Sequence, residues 1–206
     1  IQDVESYVDN VSCHSNVNSL NQKPTVNAGE DFYIPKGTAY YLKANGFDSD
    51  NDDLTYCWEQ LDSGQVEASN FGPELLTGSI NRSIPPSENE VRYIPNISQI
   101  LNGNLVLSNP TLFSSWETVS NVERTLTWGV TVRDRSESNP NGMGQISQDV
   151  KKIFVTETAG PFRIMSNDST DIVWKSGSNQ KIIWDVANTD KACLLYTSPS
   201  PRDCLL

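Results

Sequence analysis

The segment Arg124–Asp134, RTLTWGVTVRD, constrains the fold more than any other. Leu126, Trp128, Val130 and Val132 alternate with Thr125, Thr127, Gly129, Thr131 and Arg133. Successive side chains of a strand point to opposite faces, so one face of this segment is apolar and the other polar. Such a strand must bury its apolar face against a second layer. Shorter runs share the pattern in part: TVNAGEDFYIP before a turn at Lys36-Gly37, TAYYLKANGF, LTYCWEQL and DVKKIFVTE. Turn-forming Gly, Pro, Asn and Asp separate them.

Short β runs at this spacing predict an all-β chain, an antiparallel β-sandwich of immunoglobulin type. Tyr56 and Trp58 fall on one face of their strand and Cys57 on the other; a Trp at that place is expected to anchor the core. Residues 63–124 are less regular, and ISQIL and FSSWETV could each form a short helical turn. Ile1, Val4 and Val8 stand at helical spacing, which predicts the end of a helix, with a polar linker to residue 22. The main domain then runs over 23–158. After Ala159-Gly160-Pro161, the runs FRIMS, DIVWKSG and QKIIWDVAN predict three further strands. Residues 159–192 are too few for a sandwich of roughly 100 residues, so a truncated second immunoglobulin-like unit is expected.

Cys193–Asp203, CLLYTSPSPRD, back-translates codon for codon onto a transposon-type sequencing adapter. Residues 193–206 are therefore expected to be a library artefact and are set aside from fold reasoning. That leaves Cys13 and Cys57, too few to establish a disulfide framework. The chain opens on Ile1 rather than Met, which is read as a cut, so the lack of a signal peptide leaves secretion open.

The net charge of −11 over 206 residues argues against a nucleic-acid partner, which needs a basic face. No apolar run is long enough for a membrane span. Catalytic signatures are missing from the sequence. It has one histidine, His14, in the linker, and no HExxH, GxSxG or phosphate-cradling GxxxxGK pattern.

What stands out instead is DSDNDDLTYCWE, residues 48–59. Asp48, Asp50, Asp52 and Glu59 match positions one, three, five and twelve of an EF-hand loop. The sixth position is Asp53, where that loop needs Gly, and the flanks read as strands. With residues 54–59 extended, Glu59 lies roughly 20 Å beyond Asp53 and cannot close such a loop. A sandwich offers another set. The strand ending at the aspartates, the strand leaving them and the end of RTLTWGVTVRD meet at one pole. Calcium held by Asp48, Asp50, Asp52, Asp134 and Asn27, with Glu30 nearby, is the expected site. A solvated acidic loop with Asx-turns is the alternative. Trp116, Trp128 and Trp174 are read as core, with a carbohydrate platform as the alternative.

PTVNAGEDFYIPKGTAYYLKANGFDSDNDDLTYCWEQLD, RYIPNISQILNGN, WETVSNVERTLTWGVTVRD and AGPFRIMS with VWKSGSNQKIIWDVANTD together resemble the region after the catalytic domain of secreted bacterial reprolysin-like zinc metallopeptidases. The resemblance covers residues 1–192. It implies a polycystic-kidney-disease-like (PKD) or cadherin-like sandwich, then a further Ig-like module. It implies calcium, secretion or display at the cell surface, and a helix at 1–9 that ends an upstream catalytic domain. That domain, a partner of this region, would hold the Zn2+ of a metalloendopeptidase. Cys13 would pair with a cysteine outside this chain. An extracellular protein or polysaccharide would be the other partner. A rival reading makes the chain an adhesion or carbohydrate-binding module of a surface protein that is not a protease.

Overall fold

A computed structural model describes residues 7, 10–12, 21–134, 144–166 and 172–189. Most of the N-terminal helical spacing (Ile1, Val4, Val8), Cys13, His14 and the adapter-like tail lie outside the described residues. The fold is all-β. In chain order the strands are β1 (Thr25–Asn27), β2 (Phe32–Pro35), β3 (Tyr40–Lys43), β4 (Asn45–Phe47), β5 (Leu54–Gln60) and β6 (Val91–Ile94). A single-turn helix α1 (Ile97–Leu101) follows, then β7 (Arg124–Asp134), β8 (Ile146–Thr156), β9 (Arg163–Ile164) and β10 (Trp184–Asp185). No helix among the described residues is long and apolar enough to cross a membrane.

The alternating segment behaves as its pattern requires. β7 lies inside a four-stranded sheet ordered β2-β8-β7-β5, antiparallel to both neighbours. Leu126, Trp128, Val130 and Val132 are all buried. They share one core with Tyr56 and Trp58 of β5, Ile153 and Val155 of β8, Ile34 of β2, and Tyr40, Leu42 and Ile94 from β3 and β6. Each large apolar side chain buried there contributes roughly 1.5–3 kcal/mol. Burial pushes the Tyr40 hydroxyl far above its usual range, and it accepts a hydrogen bond from Trp128 Nε1 at 3.2 Å.

One strand departs from the antiparallel expectation. The segment read as a single strand at 25–35 is divided. β1 pairs with β4, whereas β2 runs parallel to β8, which makes the larger sheet mixed. The break falls at Gly29, whose φ of +79° suits a residue without Cβ. ISQIL forms α1, with Asn96 Oδ1 accepting from Gln99 N at 3.2 Å at its start; FSSWETV is a turn without helix.

The loops of the irregular middle are fastened by buried polar groups. Arg92, on β6, faces the core. Its guanidinium lies 5.1 Å from the Trp128 ring centroid and pairs with Glu117 at 2.8 Å. Nη1 donates to Trp58 O at 2.5 Å and Nη2 to Arg82 O at 2.7 Å. Glu117 Oε2 accepts from Asn96 N and Nδ2, which ties α1 to the same knot. Along the edge of β5 away from β7, Ser87 exchanges backbone hydrogen bonds with Tyr56, and Cys57 Sγ donates to Ile84 O at 3.5 Å. This loop covers β5, an edge that would otherwise invite pairing. Cys57 is a buried free thiol whose pKa burial raises.

Beyond Ala159, two of the three expected strands form, as β9 and β10; DIVWKSG is not a strand over its described residues 172–177. No described residue from 161 to 189 is buried, and Ile164, Met165, Val173, Trp174, Ile183 and Trp184 are exposed.

At the start of β5, β4 approaches it closely. A Cβ on Gly46 would lie 2.5 Å from the Tyr56 hydroxyl and 2.9 Å from Leu54 Cδ1. Any larger residue would have to displace the ends of the Tyr56 and Leu54 side chains. Gly46→Ala is expected to lower stability by about 1–3 kcal/mol through overpacking. Urea denaturation checks this, and an unchanged midpoint would show that β4 and β5 are not in contact there.

Candidate metal centre

The strand register builds an acidic pole. Thr25 stands opposite Phe47 and Leu54 opposite Asp134, so the start of β1, the end of β4, the start of β5 and the end of β7 converge. The loop 48–53 joins β4 to β5 there. Asp48 is 5% exposed and organises it: its Oδ1 accepts from Asp50 N at 2.8 Å and Asp52 N at 3.2 Å. Asn51, at φ +61°, supplies the left-handed residue the winding needs, a conformation Asn tolerates.

That winding gathers the carboxylates of Asp48, Asp50 and Asp52, with one oxygen from each within 4.8 Å of the others. Asp48 is buried, Asp52 half-buried and Asp50 exposed. Two unit charges so close repel by roughly 1 kcal/mol in water and roughly 3–4 kcal/mol at an effective dielectric constant of 20. None of the ion pairs among the described residues involves these three. The telling atom is Asp48 Oδ2, which is buried and has no hydrogen-bond partner. Buried polar atoms without partners are rare, and a charged oxygen left this way is costly unless something else neutralises it.

An Asx-turn accounts for Oδ1 and leaves Oδ2 unexplained. A hard divalent cation is a partner that Oδ2 could accept. Calcium takes six to eight oxygens, from carboxylates, carbonyls and water. Asp48 Oδ2, Asp50 and Asp52 fit as its protein ligands, and loop carbonyls and water would supply the rest.

The other expected ligands stand elsewhere. Asp134 reaches the same pole and is 2% exposed, but its oxygens are engaged: Oδ2 accepts from Asn21 Nδ2 at 3.0 Å and Oδ1 from Gln145 N. It lies outside the three-carboxylate group. Asn27 pairs with Asn45, two positions along β1 from the pole, and its Oδ1 accepts from Gly29 N at 2.7 Å. Glu30 is exposed beside it and also outside the group. Glu59 sits along β5 and accepts from Ser83 Oγ at 2.9 Å. Asn21 and Gln22, which sequence reasoning placed in a linker, are the residues that arrive at the pole. Gln22 N donates to Asp50 Oδ2 at 2.5 Å.

Of the tryptophans read as core or platform, Trp128 is fully buried, Trp116 packs edge-on against Phe71 at 5.2 Å, and Trp174 is 53% exposed. A different aromatic pair lies open. Tyr41 of β3 and Tyr93 of β6 face each other across the strands, with ring centroids 6.3 Å apart and exposures of 52% and 42%.

No family model matches the chain, and no curated protein or solved structure matches it either.

Asp48→Asn keeps an oxygen for the two loop amides and removes one charge from the crowded set. In chelator this variant is expected to melt above the parent by a few degrees, the repulsion between the carboxylates being relieved. In calcium the order should reverse. Circular dichroism melts in both buffers check this; a variant less stable than the parent in chelator would place Asp48 in a purely structural role.

Proposed function

We propose that the chain is a non-catalytic, calcium-stabilised β module, an immunoglobulin- or PKD-like sandwich from the post-catalytic region of a secreted zinc metallopeptidase. Its role is to space, stabilise or dock the enzyme at substrate or cell surface. The observation that carries the cation part is the buried, unpartnered Oδ2 of Asp48, a carboxylate grouped with those of Asp50 and Asp52. The sandwich assignment draws support from the four-stranded sheet and the β3–β6 pair, which share one core with Trp58 of β5 inside it. The link to a metallopeptidase and to secretion rests on the sequence resemblance. So does the assignment of Zn2+ to a catalytic domain upstream; no catalytic role attaches to residues of this chain.

The mechanism is thermodynamic. An ion that binds the folded pole and not the unfolded chain adds stability set by its concentration relative to Kd. At one hundred times Kd this amounts to about 2.7 kcal/mol, or roughly 5–10 °C in Tm for a domain of this size. The parent is expected to show that shift between calcium and chelator, and the Asp50→Ala, Asp52→Ala double variant to show none. Identical parent melts in the two buffers would overturn the calcium assignment.

The Tyr41–Tyr93 pair favours a second reading, a carbohydrate-binding or adhesion module of a surface protein that is not a protease. Exposed rings on a sheet face can stack on sugars. Reading the parent gene separates the two: an HExxH-bearing domain upstream is expected here, and tandem sandwich repeats in its place would favour the rival.

A further inference from the structure

The acidic pole also holds the segment through which the chain enters the domain, residues 21–24. Asn21 is buried and donates to Asp134 Oδ2 at 3.0 Å. Gln22 N donates to Asp50 Oδ2 at 2.5 Å. The Pro24 carbonyl accepts from Ser147 Oγ, and Thr25 Oγ1 donates to Phe47 O at 3.3 Å where β1 begins. Two of these four bonds end on carboxylates, and the two carboxylates differ. Asp134 is buried, paired in β7 and fixed on both oxygens. Asp50 is exposed, and its neighbours in the loop are Asp48 and Asp52.

Without an ion, repulsion from those neighbours works against the arrangement that presents Asp50 Oδ2 to the Gln22 amide and so weakens that bond. A cation shared by the three carboxylates reverses the sign of that force. It would draw on an Asp50 oxygen and hold the carboxylate in place, leaving Oδ2 turned to Gln22. We infer that divalent-cation binding at Asp48, Asp50 and Asp52 locks the entering segment onto the domain through the Asp50–Gln22 amide bond. This rests on the calcium reading above and adds a consequence to it: the ion sets how firmly the preceding chain is seated, as well as how stable the domain is. Linkage makes the effect reciprocal, so the Gln22 amide must in turn favour ion binding.

The test is hydrogen exchange on the full chain in calcium and in chelator, read at the Gln22 amide against core amides of β8. The β8 amides report global opening; the Gln22 amide reports local release. Calcium should slow Gln22 exchange at least about fivefold under conditions where exchange in chelator is faster there than in β8. Gln22→Pro removes the amide hydrogen and leaves every carboxylate, and should weaken calcium binding by a similar factor in a calorimetric titration. Asn21→Ala, which removes the bond to Asp134 and leaves the Gln22 amide and the three carboxylates in place, should leave calcium affinity close to that of the parent. If calcium raises Tm but leaves Gln22 exchange unchanged, the lock is wrong and the calcium reading stands. If calcium changes neither, both fall. Should Gln22→Pro not fold, exchange on the parent chain decides the matter alone.

Discussion

Everything at the acidic pole of this molecule depends on the register of β7 between β5 and β8. The pairing of Leu54 with Asp134 fixes where the acidic loop leaves β4 and where β7 ends. Slipping that register by one residue would turn Trp128, Val130 and Val132 out of the core, so the hydrophobic pattern holds the register and the register holds the pole. Gly46 completes the geometry by letting β4 approach the Tyr56 and Leu54 side chains of β5 closely.

The molecule treats its buried charges in two ways. Arg92 and Glu117 form a nearly closed set, with backbone carbonyls, Asn96 and the Trp128 ring meeting most of their polar valences; Arg92 Nε stays unpaired. A pair buried this way fixes loop positions more than it adds stability, although losing one partner alone costs about 3–5 kcal/mol. Asp48 is the opposite case. One oxygen organises the loop, the other is buried without a hydrogen-bond partner, and the carboxylate as a whole is gathered with those of Asp50 and Asp52. Charge gathered and left unneutralised is the arrangement expected of a site shaped for a cation.

Much of the sheet was legible in the sequence because period-two alternation is a local signal. RTLTWGVTVRD and LTYCWEQ announced β7 and β5, their antiparallel pairing followed from topology, and the aspartates were visible as a cluster. The split between β1 and β2 was not legible, because a strand that crosses from one layer to the other keeps its composition while changing partners at Gly29. That split also explains the position of Asn27. Since β1 starts at Thr25, the residues just before it, Asn21 and Gln22, reach the pole, while Asn27 lies along the strand. The Arg92–Glu117 knot joins residues 25 apart in a stretch without periodicity, so nothing local in the sequence marked it.

The calcium proposal requires the three carboxylates of the acidic loop to take up an ion together. A crystal structure grown in calcium tests this most directly. It should contain one calcium ion in contact with Asp48 Oδ2 and with the carboxylates of Asp50 and Asp52, with Asn27 outside the coordination shell. A well-ordered loop in saturating calcium with no ion there, or with Asp48 Oδ2 satisfied by a protein donor, would contradict it.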